Sequence, residues 1–278
     1  MTSPPYKLQV EDLTVGFGHG RRARTVLHGV STGVRAGQTL GLVGESGSGK
    51  STIAKAIVGI HPVRAGRVLL DGADLTGLGR RELAAVRRRV QLVSQDPYAS
   101  LNPRMTVGQA VAEAVDPARA DARKHAAAVE RWLETVALDG SAAGRYPHEF
   151  SGGQRQRIAV ARALAVGPEV LIADEITSAL DASVQAEVLN LLEELRRSLS
   201  LTMVFISHDL AVVRHVSDEV AVLRHGELVE QGPAHDVYRA PQHPYTRSLL
   251  ASAPTFEEPG ASHASAEAED LEEKEEAV

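Results

Sequence analysis

Hydrophobic positions fall into short apolar runs separated by glycine, proline or charge. Tyr6–Thr14 alternates loosely, with Leu8, Val10 and Leu13 apolar, and Val26–Val34 is a second such stretch beyond a polar loop at His19–Arg24. Period-two alternation of this kind predicts two paired antiparallel strands. Thr39–Val43, Val90–Ser94, Val170–Ala173 and Thr202–Ile206 are nearly unbroken apolar runs, the texture of strands buried on both faces. Gly66–Gly72 reads as a strand closed by an Asp-Gly turn, and Val220–Leu223 with Glu227–Glu230 as a last pair across His225-Gly226.

Helical periodicity fills the gaps. A helix starts at Ser51–Val58, with Gly59 as its stop, and another covers Ile158–Val166. Val184, Val188, Leu191, Leu192, Leu195 and Leu199 form one stripe at helical spacing, with Asp181 placed to cap it. Met105–Leu138 has no strand-like run and is rich in alanine, glutamate and arginine. Val107, Ala110, Val111 and Ala114 suit one helix face there, and Val129, Trp132, Leu133 and Val136 another, with Trp132 read as a core residue. A short helix is expected around Ala234–Tyr238. The arginines at 80, 81, 87, 88 and 89, with Glu82 interleaved, suit a solvated helix face better than a nucleic-acid patch. The expectation is an α/β fold: a mostly parallel core sheet, an N-terminal antiparallel β layer and an inserted helical subdomain.

Composition removes several classes. At 278 residues and 43% hydrophobic, the chain can build a proper core. With no cysteine there is no disulfide framework, thiolate metal site or thiol nucleophile. No apolar run approaches the ~18 residues of a membrane span, and no signal-peptide core is read at the N-terminus. Work at a membrane would therefore use a partner's spans. Net charge is −6, but nine acidic residues and one lysine lie in Thr255–Val278, which leaves the body near +2. Nothing in the bulk charge calls for nucleic acid, and the acidic, alanine-rich tail reads as disordered.

The chemistry centres on Gly44-Glu45-Ser46-Gly47-Ser48-Gly49-Lys50-Ser51, followed by Thr52. It fits the pattern of a glycine, four residues and Gly-Lys-Ser, set between a predicted strand and a predicted helix. Glycines let backbone N–H groups approach phosphates, and the helix N-terminus attracts anions. Lys50 would reach the outer phosphates and Ser51 would ligate Mg2+. Asp174-Glu175 is a carboxylate pair at the tip of a buried strand, costly without work or partners. Beside a phosphate loop, Asp174 would hold Mg2+ through water and Glu175 would act as general base. Other positions are open when read singly. Gln95 suits a loop or a ligand site beyond a strand end. Ser151-Gly152-Gly153-Gln154 suits an ordinary helix cap or an anion cradle without a lysine. Phe17 suits core packing and an adenine platform equally. His208, in Ser207-His208-Asp209, gains a polar-site reading from standing on the same edge as the other strand tips.

Taken in order, Gly44–Ser51, Gln95, Ser151-Gly152-Gly153-Gln154, Ala173-Asp174-Glu175, Ser178–Asp181 and His208 resemble the nucleotide-binding subunits of ABC transporters, a match spanning about Leu8–Gly232. The Ser-Gly-Gly-Gln signature is the specific element, because a phosphate loop alone marks many unrelated NTPases. Gln95–Thr106 resembles the corresponding stretch of di- and oligopeptide or nickel importer ATPases, and His243-Pro244-Tyr245-Thr246 followed by Leu249-Leu250 resembles their C-terminal extension. Phe150 stands where leucine is commoner and Ile176 where proline is commoner; neither touches the phosphate chemistry. Some relatives carry a C-terminal cysteine cluster; this chain has none, so no iron–sulfur site is expected.

The resemblance implies a P-loop NTPase with an ATPase domain over 1–235, a helical subdomain over roughly 97–160, the importer-type extension over 236–254 and the acidic tail over 255–278. It implies ATP and Mg2+, held by Gly44 to Thr52, with Gln95 sensing metal and attacking water. Phe17 becomes the adenine platform. Two cassettes, in a homodimer or heterodimer, would dock head to tail, so that Ser151, Gly152, Gly153 and Gln154 of one face the γ-phosphate held by the other. Glu175, His208, Gln95 and Lys50 would be the catalytic set. The partners implied are two integral membrane permease subunits, a second ATPase subunit and, indirectly, an extracytoplasmic solute-binding protein, with no nucleic acid. The expected place is the cytoplasmic face of the cell membrane, and the expected cargo di- or oligopeptide, with nickel or another small solute as the alternative. A soluble ABC-type ATPase of repair or translation would carry coiled coils or tandem cassettes, a P-loop kinase would not need the signature, and a scaffold would need neither Asp174-Glu175 nor His208.

Overall fold

The computed structural model describes residues 5–18, 24–96 and 100–252. The polar loop at 19–23, residues 97–99 of the stretch after Gln95, and the acidic tail lie outside the described residues.

The first two apolar runs form β1 (Tyr6–Phe17) and β2 (Arg24–Arg35), paired antiparallel. Both are longer than the alternation alone indicates, because register shifts let the ribbon continue past its polar interruptions. β4 (Val63–Leu70) and the short β5 (Ala73–Asp74) join them in a four-stranded sheet of order β2-β1-β4-β5. The second sheet has six strands: β3 (Thr39–Val43), β6 (Val90–Val93), β7 (Val170–Asp174), β8 (Thr202–Ile206), β9 (Glu219–Arg224) and β10 (Glu227–Pro233). Their order is β10-β9-β3-β8-β7-β6, parallel throughout except for the β9–β10 hairpin.

Alternation along these buried strands builds two cores. Leu171, Ala173, Met203 and Phe205 face one cluster, and Val170, Ile172, Val204 and Ile206 face the other. The second cluster fills the space between the sheets around α1 (Lys50–Ile57), with Leu13, Leu27 and Ile53 almost fully buried. The first lies under α5 (Gly152–Ala165), α6 (Ala182–Leu199) and α7 (Leu210–Val216), and it runs on into the helical insert. That insert contains α3 (Val107–Val115), α4 (Ala126–Thr135) and 3-10 turns at Gly140–Gly144 and Pro147–Glu149. α2 (Arg80–Arg89) is the arginine-rich helix, with Val86 its buried residue. Burying each large aliphatic side chain in these cores contributes about 1.5–3 kcal/mol.

Local readings need adjustment in three places. Leu199 ends the predicted apolar stripe but is 44% exposed, and Leu189 is buried instead. The helix turns past the core at its C-terminal end, where Ser200 adopts a left-handed cap. Ala112 rather than Ala114 is buried on α3. The helix placed at Ile158–Val166 starts six residues earlier, at Gly152, because Ser151 and Gln154 form a reciprocal capping box that carries two glycines into the first turn.

Candidate active site

Parallel pairing places the C-terminal ends of β3, β6, β7 and β8 on one edge, where open α/β sheets present ligand sites. Register brings the tips level: Leu42 and Asp174 both lie opposite Ile206, and Val93 lies opposite Ala173. The backbone N–H of Glu175 donates to the Ile206 carbonyl at 2.9 Å, so the carboxylate pair is locked beside the β8 tip.

Glycine is required where the loop leaves β3. Gly44 has φ +148, and a Cβ there would lie 2.1 Å from the Leu223 carbonyl oxygen. Beyond it, Glu45, Ser46 and Gly47 are exposed, while Ser48, Gly49 and Lys50 are buried, and Ser51 and Thr52 are partly buried at the start of α1. Lys50 is only 4% exposed. Its ammonium donates to the Gly44 carbonyl at 2.8 Å and the Glu45 carbonyl at 3.0 Å, and it stands 3.8 Å from Glu175 Oε1. Burial pulls the Lys50 pKa below the ordinary lysine value, opposed by the charges of Glu175 and Asp174.

Asp174 is 4% exposed, and Ser51 donates its hydroxyl to Asp174 Oδ1 at 2.9 Å. Burial raises the Asp174 pKa, the Ser51 hydrogen bond opposes the rise, and the neighbouring Glu175 charge adds to it. Lys55 and Lys50 act on this carboxylate from nearby, yet burial still outweighs them, so a further cation would stabilise it. Two hard oxygen donors on the floor of a phosphate loop fit Mg2+.

Glu175 sits at φ +50, a left-handed conformation uncommon for a non-glycine residue. Its side chain is 17% exposed, and Oε2 lies 3.7 Å from His208 Nδ1. The His208 side chain itself is 57% exposed. Ser178 links the β6 and β7 tips: Gln95 Nε2 donates to Ser178 Oγ at 3.2 Å, and that hydroxyl donates to the Glu175 carbonyl at 2.9 Å. The structure thus brings Lys50, Ser51, Asp174, Glu175, His208 and Gln95 onto one edge. Sequence reasoning missed the bridging role of Ser178. Its sequence signal is its place at the head of the Ser178–Asp181 stretch, three residues after Glu175.

The signature stands apart from that cluster. Ser151 and Gln154 bond to each other, at 3.0 and 3.3 Å, rather than to the phosphate loop. Ser151 and Gly152 are exposed, whereas Gly153 is buried, and a Cβ on it would meet Val184 Cγ1 at 2.3 Å. Gly153 therefore lets α6 pack close beneath an N-terminus whose outer face is open. Phe17 ends β1, is 39% exposed, and meets the His61 ring edge-on at 4.8 Å between centroids. Trp132 is partly buried against the first core, with the Arg131 guanidinium over its ring.

A glycine loop gripping a buried lysine, with a serine–aspartate pair behind it and a glutamate–histidine pair at its mouth, defines a nucleotide-hydrolysing α/β cassette. Two family models match the chain: one described as ABC transporter over residues 27–178, and one described as the oligopeptide/dipeptide transporter C-terminal region over 229–276. The oligopeptide transport ATP-binding protein OppF of Bacillus subtilis (strain 168) is 47% identical over 250 residues, covering 89% of this chain and 82% of that protein. AppF of the same organism, also an oligopeptide transport ATP-binding protein, is 48% identical over 234 residues, covering 84% and 71%. Among solved structures, the dimeric post-hydrolysis state of the ATP-binding cassette MJ0796 bound to ADP and Pi superposes with a TM-score of 0.73. It has 28% identity and covers 82% of this chain and 98% of that one. The chain belongs to the ABC transporter family, as an ATP-hydrolysing subunit.

Proposed function

We propose that this chain hydrolyses ATP at the cytoplasmic face of the cell membrane to power import of di- or oligopeptides through two integral permease subunits. The observation that carries the reading is the convergence of Lys50, Ser51, Asp174, Glu175 and His208 on one sheet edge, together with an exposed signature whose Ser151 and Gln154 bond each other. The C-terminal family match and the likeness to OppF and AppF support the peptide cargo. Among the described residues no helix is long and apolar enough to cross a membrane, so transport would need partner spans.

In this reading the N–H groups of Gly47 to Thr52 and the Lys50 ammonium hold the β- and γ-phosphates of ATP, and Phe17 stacks on the adenine. Ser51 and Asp174, with Gln95, would hold Mg2+, which when bound would supply positive charge to offset that on the phosphates. Glu175 accepts the proton of the attacking water, and His208 fixes the Glu175 carboxylate and meets the γ-phosphate. Ser151, Gly152, Gly153 and Gln154 serve the site of a second cassette, to which they present an exposed capped N-terminus. ATP then acts as a shared ligand that favours the closed pair, and its loss on hydrolysis reopens it. That differential affinity is what would move the permeases between their two access states.

The test is reconstitution. Vesicles containing the chain, its permeases and, outside, the solute-binding protein should accumulate a labelled oligopeptide only with ATP and Mg2+ inside. Uptake of Ni2+ but not peptide would transfer the reading to the metal-importing alternative; ATP hydrolysis without membrane partners or uptake would remove transport.

A further inference from the structure

The two helices after β10 belong to neither sheet, yet each sets a tyrosine hydroxyl on backbone at or next to the nucleotide site. They are α8 (Ala234–Arg239) and α9 (Pro244–Ala251). Tyr245, 8% exposed, accepts the backbone N–H of Glu45 at 3.2 Å. Lys50 holds the carbonyl of that same residue at 3.0 Å. The entry to the phosphate loop is therefore pinned from inside by the lysine and from outside by α9.

The pin is itself anchored. The Glu230 carboxylate accepts the N–H groups of Gln242 at 2.7 Å and His243 at 3.0 Å, fixing the approach to α9. His243 Nδ1 accepts the Tyr245 N–H at 3.1 Å as the helix cap. Arg224, at the end of β9, lies over the Tyr245 ring, 4.9 Å from its centroid. On α8, Tyr238 donates its hydroxyl to the Leu210 carbonyl at 2.5 Å. Leu210 begins the helix that follows His208 and Asp209. One segment thus touches both the phosphate-loop entry at Glu45 and the first residue of α7, two positions after His208.

We propose that residues 234–251 form a brace for the nucleotide site, in which Tyr245 positions the phosphate loop for ATP binding and Tyr238 positions His208 for turnover. The inference rests on the reading that this site binds and hydrolyses ATP. The exposed entry of the loop, Glu45 to Gly47, has little packing of its own, so binding must order it at an entropic cost. An external hydrogen bond at its first turn removes part of that cost in advance. The bond at Leu210 acts on a different quantity, because His208 faces Glu175 rather than the loop backbone.

Two phenylalanine variants separate the roles, since each removes one hydroxyl and keeps the ring. Tyr245→Phe should weaken ATP binding about two- to tenfold, by titration of the purified full chain, with kcat unchanged. Tyr238→Phe should lower kcat about two- to tenfold with ATP affinity unchanged. Neither should move the thermal midpoint by more than a few degrees. Wild-type affinity and kcat in both variants, beside an active wild type, would overturn the brace. So would parallel losses of affinity and kcat that follow a falling thermal midpoint, because that pattern marks general destabilisation. A wild-type chain that neither binds nor hydrolyses ATP would instead overturn the functional reading itself, and the brace with it.

Discussion

The hydroxyl of Ser51 and the carboxylate of Asp174 meet at 2.9 Å, although 123 positions separate them in the chain. The pair joins the first turn of α1 to the tip of β7 and forms the floor of the phosphate site. Its electrostatics are unfavourable as it stands. Asp174 is buried, its pKa is raised from 3.8 chiefly by desolvation, and the Glu175 charge beside it adds to the rise. Above the unfolded value of 3.8 the native state binds the proton more tightly, so unfolding free energy falls as pH rises through the raised native value.

Asp174→Asn should therefore raise the thermal midpoint of the nucleotide-free chain at pH 7, with the gain shrinking as pH falls from the raised native value toward 3.8 and absent below it. The same substitution should cut Mg2+-dependent ATP turnover by about 100-fold or more, since a bound metal contributes several kcal/mol of charge stabilisation. Melting curves with and without Mg2+ and ATP check both halves. A less stable, fully active variant would remove Asp174 from the metal site.

Glu175 is held in a left-handed conformation with His208 3.7 Å from one oxygen and Lys50 3.8 Å from the other. Glu175→Gln keeps the shape and removes the proton acceptor. It should bind ATP normally, accumulate a closed dimer visible by light scattering, and turn over about 10²–10⁴-fold more slowly. Retained turnover would mean that another group takes the proton.

Away from the site, Glu169 shows the opposite sign. Arg89 donates to both its oxygens, at 2.5 and 2.9 Å, and Lys7 completes the cluster. These hydrogen bonds, that of Arg89 first, hold its pKa near 2, well under the reference 4.5. The stabilisation is thus present above 4.5 and lost as pH falls toward 2. With 39% of the side chain exposed, screening limits it. Glu169→Gln should cost about 1 kcal/mol at pH 7 in low salt, less in high salt, and nothing near pH 2. Denaturant titrations at the two pH values measure the difference.

Local pattern carried the sheet but not its connections. Thr202–Ile206 was legible to the residue, because a wholly apolar run between polar ends admits few alternatives. The placement of Gly44–Ser51 between β3 and α1, and of Asp174-Glu175 at the tip of β7, was legible because few other tasks call for those residue types there. The pairing of β4 with β1 was not, since nothing within Val63–Leu70 names its partner. The Ser178 bridge and the Tyr245 and Tyr238 contacts were equally hidden: each joins residues more than 25 positions apart, and tyrosine at helical spacing reads first as core. The early start of α5 was obscured by Gly152 and Gly153, whose low helix propensity is overridden by the Ser151–Gln154 capping box.

In the proposed cycle one ATP is gripped by two cassettes, by the lysine loop of one and the serine–glycine signature of the other. Its most direct test is ATP turnover per chain as a function of chain concentration, with Ser151→Arg as control. Turnover per chain should rise with concentration in the wild type. In the control, turnover should be absent at every concentration, although the dilute variant binds ATP as tightly as wild type. Turnover per chain that is flat on dilution and survives in Ser151→Arg would contradict it.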